Sequence, residues 1–325
     1  MSKRLFALIL SVLTGAVILP LSAQNLFQRV DSLLTANYRK VNYDTAYITR
    51  PHTKWTVTAR MNVSGATIVT KGIDNGLRFK SKMEANSKAT FSLGASYLGI
   101  GLSFALNPAK LMGKYRDFEL NLNCYRRRFG FDVIYQDAKN FTGWYDREGM
   151  ERVELPDGML RVKTLNLNAY YAFGSRRFSY PAAFSQSYIQ RRSAGSFLLA
   201  ASGMGQHATF DGEQQGLRLK MLNIGIGGGY GYNYVPRQGW LLHVSALPTF
   251  IVYSHASMSA STDRMALHYH FPEVIITGRG AVVRHWGGKF LGLSMVYNFT
   301  NTGSKSDFAV YNTKWRIRAF FGLRI

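Results

Sequence analysis

His243 and Ser245 stand two residues apart in an alternating stretch and form the sharpest chemical pairing in this sequence. On a strand, residues i and i+2 share a side, so the imidazole can take a proton from the hydroxyl and make it a nucleophile. No acid lies nearby in sequence to orient the ring, so a neighbouring strand must supply one. Trp240, Leu242, Val244 and Ala246 form the opposite, apolar face, which turns His243 and Ser245 inward. His268 and His270 repeat the spacing with two imidazoles, a metal-ligand arrangement that Asp263 or Glu273 would complete. Two histidines in a polar loop are weak grounds for a metal, and no cofactor is expected. Asp146, Glu148, Asp211 and Glu213 fall in long polar stretches, with His207 near Asp211, the residue types a protease at a rim would need to converge. The glycine run at 225–231 imitates a phosphate loop, but no helix follows it, and close-packed strand positions account for it better.

The elements that hold these residues are read from alternation. Residues 315–325 put Trp315, Ile317, Ala319, Phe321, Leu323 and Ile325 on one face and Arg316, Arg318, Phe320, Gly322 and Arg324 on the other. An apolar face against lipid and a basic face against water is the pattern of a stave in a membrane barrel, whose final strand pairs with its first. The pattern recurs from residue 55 onward and gives thirteen candidate strands. Even strand numbers predict twelve, starting at Leu77, with fourteen as the alternative; residues 55–64 are then one strand too many. Short links near Tyr97 and at 126–128, 235–239 and 284–289 fall on one side. Long links at 107–117, 139–159, 205–218, 255–269 and 300–314 fall on the other. Two links fit poorly: 174–194 is long on the short side, and 85–89 is short on the long side.

Composition agrees. Of 325 residues, 46% are hydrophobic and 14% aromatic, yet the mean hydropathy is only −0.10, as expected when apolar residues are hidden in alternation rather than in helical runs. Cys124 is the only cysteine, so an intrachain disulfide and multi-cysteine zinc sites are excluded. Lys3 and Arg4, an apolar run to Leu19 and small residues up to Ala23 predict a cleaved signal peptide at 1–23. A periplasmic segment at 24–54 follows, with helical spacing over 25–40 that also fits a flexible tail, and then one barrel domain at 55–325.

Several short motifs carry a resemblance to a family. They are residues 43–48 (YDTAYI), 91–102 (FSLGASYLGIGL), 125–129 (YRRRF), 177–180 (RFSY) and 190–196 (QRRSAGS). In this order they resemble a group of outer-membrane barrels, the domain of unknown function 4421. The resemblance implies a signal peptide, a barrel in the cell outer membrane of a Gram-negative cell, and a defined structure for the link at 174–194. It assigns no catalytic residue. A terminal Ile325 departs from the aromatic residue with which such barrels commonly end.

The expected architecture is therefore all-β, an antiparallel transmembrane β-barrel. The formal charge of +22 makes nucleic acid the first partner to consider, but the cations are spread along strands rather than gathered in one patch, which points away from it. Arg78, Lys80, Lys82, Arg316 and Arg318 fall on the polar side of the terminal strands and predict a cationic lumen that favours anions. The expected function is non-enzymatic: a small, porin-like channel or surface-binding barrel. A lipid- or lipopolysaccharide-modifying hydrolase is the second reading. His243 and Ser245 would serve it, in an arrangement similar to that of outer-membrane phospholipases and lipid A deacylases. A structural barrel with partner-binding loops is the third. Expected partners are outer-membrane lipid and lipopolysaccharide, the barrel insertion machinery and an anionic solute.

Overall fold

The computed structural model describes residues 32, 35, 36, 38, 40–74, 76–98, 100–106, 118–210, 218–260, 263–267, 273–303 and 308–325. It forms two units, residues 1–42 and 43–325. In the first, residues 32, 35, 36 and 38 are helical; the expected signal peptide lies outside the described residues.

The second unit is built from one antiparallel sheet of fifteen strands. Twelve are its staves: β1 (Trp55–Asp74), β2 (Leu77–Tyr97), β3 (Ile100–Leu106), β4 (Phe118–Tyr125), β5 (Phe129–Ala138), β6 (Leu160–Ala172), β7 (Ala194–Phe210), β8 (Arg218–Tyr234), β9 (Trp240–Ala260), β10 (Val274–Trp286), β11 (Lys289–Gly303) and β12 (Phe308–Arg324). Three short strands, Phe141–Arg147, Val153–Leu155 and Asp263–Leu267, extend the sheet at one end. Neighbours follow chain order, and β12 pairs with β1, Arg324 opposite Thr56 and Phe308 opposite Gly72. Trp55 and Ile325 exchange backbone hydrogen bonds of 3.1 and 2.9 Å at the foot of this seam. The sheet curls until its walls touch: Asn312 on β12 donates to Gln206 on β7, and Asn223 on β8 to Thr302 on β11, each at 2.9 Å. β3 and β4 are the two edges, and among the described residues no ladder joins them.

Side chains sort by face as a membrane barrel requires. Leu93, Phe197 and Val244 point outward at 68%, 72% and 64% exposure, while their neighbours Ser92, Ser196 and Ser245 point inward and are buried. This is the fold of an outer-membrane β-barrel, with apolar residues toward lipid and polar residues toward the interior. Staves of up to 21 residues are about twice the 9–11 that cross a bilayer, so the long strands continue past it. The glycines of β8 let its backbone lie close to β9: a Cβ at Gly229 would fall 1.9 Å from the Ala246 carbonyl oxygen.

Twelve staves are present, but not by the expected count. Residues 55–64, set aside above as one strand too many, begin β1. The runs at Leu77 and Phe91, read as separate strands, are one strand, and the supposed link at 85–89 lies within it. The cause is a register slip. Ser64 pairs with Lys88 but Ala66 with Ala85, so β2 carries one extra residue there, and its inward face changes parity. Below the slip the even residue Ser92 is buried; above it the odd residue Met83 is buried. A bulge breaks period-two reading while the ladder continues.

Candidate functional site

Both ends of the interior are filled, and a polar chamber lies between them. At the end where strands run long, Ile68, Met83, Phe141, Leu160, Val162 and Met221 form an apolar cluster from opposite walls. At the short-turn end, where β1 starts and β12 finishes, residues 174–194 fold up inside the sheet as a plug. Its core is a one-turn helix, Tyr180–Phe184, with Pro181 in the first turn. Gln186 ends that turn at φ 54, and its N–H donates to Pro181 O at 2.8 Å. A two-residue strand, Ile189–Gln190, pairs with Ile48–Thr49 and so ties the upstream segment to the plug.

The plug is held by amides that sequence reading passes over. Gln190 is 2% exposed. Its Oε1 accepts from Ser179 N–H at 3.0 Å and from Asn233 Nδ2 at 2.9 Å, and its Nε2 lies 2.6 Å from Arg177 O and 2.9 Å from Arg192 O. Asn233 also donates to Ser179 O at 2.9 Å, which leaves its Oδ1 to face His243 Nδ1 at 2.7 Å. That contact assigns the proton to Nδ1, so Nε2 accepts from Ser245 Oγ at 3.0 Å. Tyr180 OH completes the chain at 3.1 Å from Ser245 Oγ.

His243 and Ser245 therefore face inward and touch each other in the tautomer a general base needs, with an amide in place of an acid. They are 4% and 3% exposed. The rings of Tyr180 and Phe184 stand 5.0 Å from the imidazole and Phe178 stands 6.0 Å from it, so the hydroxyl is walled in by the plug. The geometry makes a latch between β9 and the plug.

A second tie crosses the chamber floor. Arg279 on β10 and Asp132 on β5 form an ion pair with side chains 2% and 4% exposed, and Tyr125 OH bonds the same carboxylate. The guanidinium lies 5.7 Å from the Tyr180 ring and 5.8 Å from the Phe184 ring. Beyond the Phe184 ring lies a small chamber, a cavity of about 70 Å³. Amides line it, among them Asn123, Asn166, Asn168 and Asn298, with Lys314, Arg316 and Arg318 on one wall. Arg318 Nε donates to Asn62 Oδ1 at 2.7 Å, so its charge meets a neutral amide. Arg60 stands on the same inward face of β1, opposite Phe320. Asp132 is the one carboxylate in the described lining, and Arg279 already holds it.

Arg316 and Arg318 thus line the interior, but Arg78, Lys80 and Lys82 do not, which corrects the expectation of a shared cationic wall. The slip in β2 turns them outward. Lys82 pairs with Glu84 at 2.7 Å, and Lys80 lies 5.4 Å from the Trp144 ring. His268, His270, Asp211 and Glu213 lie outside the described residues. Glu273 is buried and accepts from Gly303 N–H at 2.7 Å. Asp146 pairs with Arg152 at 3.5 Å and Glu148 accepts from Arg78 N–H at 3.2 Å. His207 stands on β7 between Lys163 and Lys220. Among the described residues no cluster of three or more potential ligands can hold a metal. Asn233, Gln190, Arg279 and Asp132 were missed. A lone arginine and a lone aspartate on the polar faces of otherwise apolar strands were the available signal for the last two.

Solved structures with similar folds include the outer membrane protease OmpT of Escherichia coli, at 8% identity and TM-score 0.47, covering 89% of this chain and 100% of that one. OprG of Pseudomonas aeruginosa matches at 11% identity and TM-score 0.28, covering 84% and 97%. OmpT of Vibrio cholerae matches at 10% identity and TM-score 0.31, covering 86% and 100%. No curated protein matches the chain. The family model described as "Domain of unknown function (DUF4421)" matches residues 42–324, nearly all of the second unit, and the chain belongs to that family.

Proposed function

We propose that this outer-membrane barrel is non-enzymatic and takes an anionic solute into its chamber, which the plug at 174–194 closes from the periplasmic side. The observation that carries this reading is the lining. Arg60 and Arg318 face the interior, Arg318 meets an amide, and the one described carboxylate in the wall is already paired. Fixed cations among amide dipoles favour anions over cations in a confined space. The plug is a separate segment held by hydrogen bonds and can leave without breaking any stave.

Planar-bilayer recording tests it. The expected result is little conductance from the native protein and anion-selective channels from Asn233→Ala, which loosens the plug. Cation-selective channels, or none from either protein, overturn the proposal. The second reading, a lipid hydrolase, draws on the 3.0 Å contact between His243 and Ser245. Unchanged lipid A and phospholipid profiles in His243→Ala cells would remove it.

A further inference from the structure

The surface of the plug and turns that faces away from the chamber is rich in arginine. Arg126, Arg128, Arg176, Arg177, Arg191 and Arg192 are all exposed there, and Arg50 and Arg127 are half-buried among them. Asp44 is the one carboxylate among the described residues of this face. It is already engaged, accepting from Ala46 N–H at 3.0 Å and lying 3.5 Å from Arg177 Nε.

Four of these arginines gather at one spot on rigid backbone. Arg127 and Arg128 sit on the tight turn between β4 and β5, closed by Arg126 N–H donating to Phe129 O at 2.9 Å. Ala172 N–H donates to Arg128 O at 2.6 Å, and Asp44 N–H to Arg176 O at 2.9 Å. The Arg127 guanidinium is aimed at the plug by Ser175, with the carbonyl oxygen at 3.2 Å and the hydroxyl at 3.4 Å. Arg50 lies over the Tyr188 ring at 4.5 Å and donates to its hydroxyl, while Tyr43 packs edge-on against that ring at 5.7 Å. Burial first, and then the charges of Arg128, Arg50 and Arg176, lower the pKa of Arg127. Like charges fixed this close destabilise the fold unless an anion joins them. Planar guanidinium forks match a tetrahedral phosphate in a way that ammonium groups do not.

We propose that Arg50, Arg127, Arg128 and Arg176 form a periplasm-facing site for a phosphate group, carried by a soluble phosphorylated ligand or by a lipid headgroup. The site is separate from the chamber. It is tested on the full-length protein in detergent. One arm titrates inorganic pyrophosphate by calorimetry; the other measures retention of phosphatidylglycerol against phosphatidylcholine by mass spectrometry. Pyrophosphate binding without lipid retention assigns a soluble ligand, and retention without pyrophosphate binding assigns a headgroup. In either case the double variant Arg127→Gln/Arg176→Gln weakens binding at least about tenfold, while Arg318→Ala in the chamber leaves it unchanged. Heat-modifiable gel migration confirms that each variant is folded. Absence of binding in both arms, or binding equally strong in the folded double variant, overturns the proposal.

Discussion

The two ends of the barrel interior are closed by different means. At the long-strand end the closure belongs to the staves: Ile68, Leu160, Val162 and Met221 are inward residues of β1, β6 and β8, and opening that end would mean separating packed walls. At the short-turn end the closure is a segment apart, folded in and held by Gln190, Asn233, His243 and Arg279. Apolar packing without directional bonds is tolerant and permanent. A buried hydrogen-bond network is specific, and it fails together when one member is lost. On the proposed channel reading, the gate is the plug. The cations differ as well. The plug end carries arginines in a cluster, whereas the far end carries outward lysines such as Lys71 and Lys80, spaced along strands and set against Tyr311 and Trp144.

The comparison can be broken by substitution. The largest effect is expected from Asp132→Ala, which strands the Arg279 charge in the interior and costs about 3–5 kcal/mol in denaturant unfolding. A nearly neutral Asp132→Leu/Arg279→Met double variant would show that loss of pairing is the cause. Next comes Phe141→Ala in the apolar cluster, at about 3 kcal/mol. This is the low end for a buried phenylalanine, because Phe141 sits on a short extension that can relax. It should destabilise without raising conductance; anion current from this variant would place the gate at the wrong end. Asn233→Ala leaves His243 Nδ1 unmet and takes one donor each from the Ser179 carbonyl and Gln190 Oε1, at about 1–3 kcal/mol. Despite the smaller cost it should release the plug, read as faster protease cleavage within 174–194 and as new conductance. The smallest effect is expected from Lys82→Ala, which removes an exposed pair with Glu84 and changes stability by less than about 0.5 kcal/mol. It leaves anion selectivity intact, whereas Arg318→Ala reduces it.

How far the sequence could be read depends on where alternation survives. From Phe129 to Tyr135, and from Trp240 to Ala246, period two holds without a break, and the inward placement of His243 and Ser245 follows from it directly. At β2 it fails. The slip between Ser64 and Ala66 reverses the faces of Arg78, Lys80 and Lys82, and no local residue type announces that. The plug was visible as a link of the wrong length to which the family resemblance lent a defined structure, but its form was not, since residues 174–194 carry neither alternation nor helical spacing over any useful run.

The sequence alone determined the all-β class, the outward residues wherever alternation is unbroken, and the inward pairing of His243 with Ser245, because those depend on neighbours within one strand. Tertiary structure alone decided that the pair is a latch, that Arg279 meets Asp132, that both ends are filled and that four arginines share one spot. Each of these joins residues distant along the chain, as Arg279 and Asp132 are, and a pattern of period two carries no information about which residue lies across the barrel.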